Sequence, residues 1–431
     1  MTWRLAAVAL VCATWMPGLC EEEFTFEYTE AEPEPFSLGG YVELRPSLAL
    51  LDANNALFAL NYPEGVGPET QTQYLLRAQL ESTYDWDDVH LKLRTNTDLV
   101  GVGGEWDATS AVHEAYAGWQ ADPHLALDVG KKQVKWGTGY SWSPVAFLDR
   151  PKDPDEPDLP RAGFTMVSAE YVKTFPGSLQ NVAVTLAVIP RTGGLNGDFG
   201  DRESTNYAGR LHLLWHDTDI DMMALSGGSQ PVRYGVDFAR NLRTNFEIHG
   251  EWSHTPSEER TTVGSDGTIR TGVETGDRLL LGLRYLTPSD VTYIAEYQYN
   301  SVGLSHSELR DFYGFVSDAA ERFATTGDAT DLDRARQLNR RLTSARPVGR
   351  NALYLRASVK EPRNILYLTP AVTLQMNLDD GSFSLAPEAV YTGYENWELR
   401  ARAFLLSGDR DSEFGGRQNE ARFELMARRY F

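Results

Sequence analysis

The residues of this chain that could do chemistry are its charged ones, and they recur at every second position. Arg77 and Glu81 flank Gln79, Lys92 and Arg94 lead to Asn96, Arg400 precedes Arg402, and Arg422 is followed by Glu424 and Arg428. A spacing of two puts such residues on one face of an extended strand. Apolar residues fill the alternate positions: Leu76, Ala78 and Leu80 in the first run, Leu91 and Leu93 in the second. The same register assigns Arg45, Arg210, Arg278, Arg284 and Arg356 to the charged face. Its acids are Glu43, Glu114, Asp128, Glu170, Asp237, Glu247, Glu251, Glu296, Glu388 and Glu398. The two signs nearly balance there, whereas the whole chain carries a formal net charge of −21. The surplus acid must therefore lie in the connections and the front end.

The histidines offer no comparable constellation. His212 and His216 are four apart, which on a strand is ~13 Å, too far to share a metal. His249 and His254 fall on opposite faces. Ser253-His254 and Ser305-His306-Ser307 lack a placeable acid partner. No nucleotide loop, Gly-x-Ser-x-Gly elbow or His-Glu-x-x-His occurs. We expect no catalysis, metal or cofactor. The acidic balance also argues against a nucleic-acid partner.

The elements that must position these charges are strands. Alternation begins near 41–51 and continues at about 74–86, 89–99, 110–121, 125–136, 161–174, 181–191, 205–216 and 219–228. It resumes at 232–241, 245–255, 276–287, 290–302, 351–361, 365–377, 382–394, 397–408 and 419–431. This is about 18 strands of ~9–14 residues, the length a tilted strand needs to cross a bilayer. Connections after even-numbered strands are short, as at Asp87-Asp88, 175–178, 287–290 and 394–397. Those after odd-numbered strands include all the long ones: about 52–72, 137–160, 192–204, 256–274 and 303–350. A soluble sandwich has no reason to sort its loops by parity. Trp86, Trp119, Trp215, Trp252, Tyr285, Tyr394 and Trp397 gather at strand ends, as interfacial girdles would. The expected fold is a transmembrane antiparallel up-and-down β-barrel over 37–431. In its longest loop, helical spacing predicts two short helices at 307–324 and 329–342, capping the mouth rather than plugging it.

Residues 1–20, MTWRLAAVALVCATWMPGLC, read as a cleaved secretory signal peptide. Both cysteines, Cys12 and Cys20, lie inside it, so no disulfide or thiolate site is expected beyond it. Residues 21–36 form an acidic, proline-bearing lead-in on the periplasmic side. No later apolar run approaches the ~18–20 residues of a membrane helix.

The last stretch, 420–431 (EARFELMARRYF), alternates and ends on Phe431. Here the chain resembles the Gram-negative outer-membrane β-barrels, whose final strand ends on an aromatic residue. The resemblance implies that this strand closes the barrel against the first and is read by the barrel assembly machinery. It also implies an outer-membrane location among lipid and lipopolysaccharide. The stretch 131–157, KKQVKWGTGYSWSPVAFLDRPKDPDEP, together with Arg161-Ala162-Gly163, resembles porin-like families of the alginate-export kind. That likeness implies a loop folded into the channel, with Lys132, Lys135, Asp149, Arg150, Lys152 and Asp153 near the pore.

On this reading the charged face lines a water-filled lumen. It is then either a salt-bridged wall or a guanidinium ladder attracting anionic or polyhydroxylated solutes. The expected function is passive diffusion of small hydrophilic or anionic solutes. The alternative is a barrel sheath around a periplasmic partner protein, such as an outer-membrane cytochrome. Any haem would belong to that partner, since no Cys-x-x-Cys-His occurs.

Overall fold

Alternation needs two media, and the fold supplies them by turning the usual protein inside out. The computed structural model describes residues 35–344 and 347–431. The first third of the sheet is β1 (Phe36–Leu51), β2 (Thr70–Trp86), β3 (Val89–Val102), β4 (Glu105–Asp122), β5 (Leu125–Lys132) and β6 (Phe164–Thr174). Next come β7 (Leu179–Arg191), β8 (Ser204–Trp215), β9 (Thr218–Ser226), β10 (Arg233–Arg243), β11 (Phe246–Val263) and β12 (Ile269–Leu286). The circuit is completed by β13 (Val291–Asn300), β14 (Asn351–Val359), β15 (Leu368–Asn377), β16 (Phe383–Tyr391), β17 (Trp397–Ser407) and β18 (Asn419–Tyr430).

Each strand pairs antiparallel with the next, and β18 pairs with β1, so the 18-stranded sheet closes on itself. Closure leaves no unpaired edge, which an open sheet could not avoid in lipid. The seam is fastened beyond the last strand residue. Phe431 N donates to Gly40 O at 3.1 Å, and Gly40 N donates to Phe431 O at 3.2 Å. Along β1, Val42 and Leu44 are 46% and 49% exposed on the outer surface, whereas Glu43 between them is fully buried on the inner one. Among the described residues no helix is long and apolar enough to cross a membrane.

Short turns follow every even-numbered strand, and the long connections stand at the other rim. One expected loop is not a loop. Residues 256–274 largely continue β11 and β12 as a hairpin, paired from Glu258↔Glu274 to Val263↔Ile269 after a bulge. Its residues are polar on both faces, because a strand that has left the apolar band has no lipid to face. Period-two hydrophobicity therefore ends before the strand does. At the opposite extreme β5 stops at Lys132 instead of running to 136, and residues 133–163 leave the wall. Residues 1–34, including the leader and most of the lead-in, lie outside the described residues, and Phe36 already belongs to β1.

The long-loop rim carries the helices α1 (Phe58–Asn61), α2 (His306–Thr326) and α3 (Thr330–Ser344). α2 begins in a capping box between Ser305 and Glu308 and ends on Gly327 at φ 75°. Its Leu309, Phe312, Val316 and Ala320 pack with Leu332, Ala335 and Leu338 of α3, Leu60 of α1 and Val263 at the hairpin tip. The two sequence-predicted helices thus form a cap bound to neighbouring loops. The short α1 had no sequence signal, since four residues are too few to show a period.

Candidate functional site: a loop held across the lumen

Residues 133–163 fold into the barrel, and the inner wall is built to receive them. Glu251 on β11 and Glu296 on β13 are buried carboxylates aimed at the loop backbone. Glu251 accepts from Thr138 N and Gly139 N at 2.6 Å each, from Ser143 Oγ at 3.0 Å and from Val145 N at 3.3 Å. Glu296 accepts from Tyr140 N, from the Ser141 hydroxyl and from Ser141 N at 2.8 Å, and pairs with His249 Nε2 at 2.9 Å. Charge-assisted bonds to a run of backbone donors fix both position and path. Further along, Val145, Phe147 and Leu148 pack on Phe164, Ile189 and Leu225 of the β6–β9 wall.

Gly137 makes the tight approach possible. It sits at φ +91°, and a Cβ there would fall against Ser143 Oγ and 2.7 Å from Glu251 Oε1. Gly137→Ala is expected to cost about 1–3 kcal/mol through backbone strain and a displaced carboxylate. Single-channel recording should read this as open-level current noise above that of the wild type.

The loop's own charges mostly brace it. Lys152 Nζ donates to the carbonyls of Gly139 and Tyr140, and burial pushes its pKa down. Arg150 pairs with Asp198 at 2.5 Å and donates to the carbonyls of Ala162 and Gly163. Asp149 pairs with Arg161. Tyr140 Oη donates to Asp158 at 3.2 Å, and burial pushes its pKa up to about 12. These contacts shape the loop, and Asp149, Arg150 and Lys152 also line the cavities beside it. Lys132 pairs with Asp128 at 2.6 Å, and Lys135 lines the space on the short-turn side.

The tip of the loop reaches the wall of β15–β18 and β1. Glu156 Oε1 lies 2.7 Å from Arg45, 3.1 Å from Arg402 and 3.4 Å from Arg400. Asp155 accepts from Gln375 Nε2 at 2.6 Å, and its carbonyl accepts from Arg402 at 2.6 Å. Around this contact Arg402 meets Glu424 at 2.9 Å, Arg400 meets Glu398 at 2.9 Å and Arg356 meets Glu388 at 2.6 Å. Arg422 pairs with Glu424 at 3.1 Å, and Arg428 with Glu43 at 2.5 Å. The expected basic patch of Arg400, Arg402, Arg422 and Arg428 is therefore interleaved with acids.

Other expected lumenal charges form separate groups. Arg77 makes a two-bond pair with Asp98 at 2.7 and 2.8 Å. Lys92 joins Glu81 at 2.7 Å, and Arg94 joins Glu114 at 3.1 Å, beside the loop's base. Arg210 stands 3.9 Å from Glu170, away from the tip, and Arg278 pairs with Glu258 at 2.5 Å on the long-loop side. Arg284 lines the same space as Lys135, with no ion pair among the described residues. Among the described residues no group of acids, histidines or cysteines has metal-binding geometry.

Sequence reading missed Glu156, although a signal existed. An acid held between Pro154 and Pro157, in a loop expected to face an arginine-rich wall, is a charge match. Burial alone would raise the Glu156 pKa, but Arg45, Arg402 and Arg400 outweigh it and hold it below its usual 4.5. A depressed carboxylate pKa contributes stability above the usual value and loses it as pH falls through the lowered one. The docked tip is thus expected to persist from neutral pH through 4.5 and to release only below it. Comparing the acid dependence of conductance in wild type and Glu156→Gln checks this: the step that the substitution removes should lie below pH 4.5.

The loop divides the water space. On the short-turn side a cavity of about 470 Å³ is lined by Tyr41, Gln79, Tyr140, Glu156, Arg356 and Arg428. On the long-loop side another of about 470 Å³ is lined by Trp142, Phe147, Arg150, Arg233, Arg278 and Gln298.

No protein-family model matches this chain, and no curated protein matches it in sequence. Solved structures do. Pseudomonas aeruginosa OccK5 (OpdH) aligns over 92% of this chain and 98% of its own, at 11% identity and a TM-score of 0.51. Acinetobacter baumannii OccAB1 aligns over 91% and 96%, at 9% identity and a TM-score of 0.50. At such identities the likeness concerns the fold alone, a closed antiparallel β-barrel, which in this chain has 18 strands.

Proposed function

We propose that this chain is a bacterial outer-membrane channel through which small hydrophilic solutes, anions preferentially, diffuse down their gradient. The observation that carries the reading is the loop at 133–163, held across a charged lumen between two cavities. A wall apolar outside and charged inside suits lipid on one face and water on the other. Short turns would then face the periplasm, and the α1–α3 cap the exterior. The anion preference is supported by Lys135 and Arg284, which line the space below the loop. Catalysis has no place in this reading: His249 commits Nε2 to Glu296, which holds the loop.

The proposed surroundings are outer-membrane lipid, lipopolysaccharide and, during biogenesis, the assembly machinery. A sheath around a periplasmic partner protein is the weaker reading, because the chain's own loop occupies the space such a partner would fill. Conductance of the refolded protein in a planar bilayer under a salt gradient is the test. Discrete openings with an anion-selective reversal potential are expected. A folded barrel that never conducts would overturn the proposal.

A further inference from the structure

We propose that the loop tip is a releasable latch: Glu156 is a tethered counter-ion that occupies the arginine site and leaves it to open an anion path. This rests on the channel reading above and specifies how that channel is regulated.

The two halves of the loop are held by different physics. The body is fixed by buried carboxylates on its backbone and by apolar packing, and its prolines at 144 and 151 stiffen it. The tip, Asp155 and Glu156, is held by ion pairs and by hydrogen bonds from Arg402 and Gln375 to Asp155. Glu156, Arg400 and Arg402 also line the short-turn-side cavity, so a dissolved anion can reach these pairs as it cannot reach buried apolar contact. The tip can therefore detach while the body stays in place.

What it leaves behind is a site. Glu156 Oε1 meets three guanidiniums, from Arg45, Arg400 and Arg402, within 3.4 Å. Each of those arginines keeps another acid nearby: Glu43 for Arg45, Glu398 for Arg400 and Glu424 for Arg402. With the tip docked, carboxylates match these cations. With it released, the six wall arginines Arg45, Arg356, Arg400, Arg402, Arg422 and Arg428 face four wall carboxylates, Glu43, Glu388, Glu398 and Glu424, which leaves an excess of positive charge. A solute bearing a carboxylate would make the same bonds that Glu156 makes, and the two compete. A tethered competitor acts at the high local concentration its short linker imposes.

The experiment compares wild type with Glu156→Gln in planar bilayers, across potassium chloride concentrations and with potassium succinate as the probe anion. Wild type is expected to show two conductance levels, the higher one gaining occupancy as salt or succinate rises. Glu156→Gln, which keeps the shape and removes the charge, is expected to favour the higher level by about tenfold or more. Both should fold alike by heat-modifiable gel mobility. A single wild-type level at every salt concentration overturns the latch while leaving the channel standing, and so do two levels whose proportions neither salt, succinate nor the substitution moves. A folded barrel with no current at all overturns the channel reading, and the latch with it. Should Glu156→Gln fail to fold, the salt and succinate dependence of the wild type decides alone.

Discussion

Deletion of residues 141–157 is expected to raise single-channel conductance by about two- to fivefold, because an 18-strand barrel without an inward loop is wide enough for an aqueous channel. The deleted segment contains the Ser141, Ser143 and Val145 contacts to the wall, the apolar Val145–Phe147–Leu148 patch and the Glu156 tip. Glu251 and Glu296 would lose their loop partners, but both would then face water, which replaces the missing donors. Phe164, Ile189 and Leu225 would be newly wetted, so some stability is lost. The barrel should nevertheless form, since its ladder closes through β1 and β18 without help from the loop. Selectivity should rise toward anions in the same variant, because Arg45, Arg400 and Arg402 lose Glu156. An unchanged conductance would mean that the narrowest point lies elsewhere.

Replacing both anchors, Glu251→Ala with Glu296→Ala, is the second change with a large expected effect. Seven loop donors, from Thr138, Gly139, Tyr140, Ser141, Ser143 and Val145, converge on these two carboxylates. Each buried donor left unpaired costs about 1–3 kcal/mol. No ordinary loop conformation against that wall could bear the sum, so the loop should leave it. His249 would also lose its partner. We expect a barrel of normal gel mobility whose currents are larger and noisier than those of the wild type. Glu296→Gln alone keeps an acceptor oxygen and should lie between the two. A quiet, wild-type trace from the double variant would show that the apolar patch suffices to hold the loop.

These two results would separate what positions the loop from what the loop does, and the division follows how the chain encodes each. Glu251 and Glu296 were legible as lumenal acids from strand alternation alone. Their task was not, because a carboxylate that holds a backbone more than a hundred residues away looks, in sequence, like any inward-facing acid. Arg150, Lys152 and Asp149 were expected near the pore, and they line the cavities beside the loop. What their charge did not reveal is that they also brace the loop, through backbone carbonyls and through pairs with Asp198 and Arg161. The arginines of β17 and β18 were placed on the right face, yet the acids between them were needed to see that the patch is balanced.

By itself the sequence determined the strands, their faces, the rim that carries the long loops and the two cap helices. Those features depend on periods of two and 3.6 residues and on local turn chemistry, all of which are written in neighbouring residues. It misjudged the polar hairpin at 256–274, where the medium that imposes alternation is absent. Closure of β18 on β1 and an inward loop were expected from the family resemblance; only the tertiary structure decided that Glu251 and Glu296 hold that loop and that Glu156 rests among Arg45, Arg400 and Arg402. Each of these is a contact between residues far apart in the chain. Closing the barrel is what brings them within reach, and no local pattern carries that information.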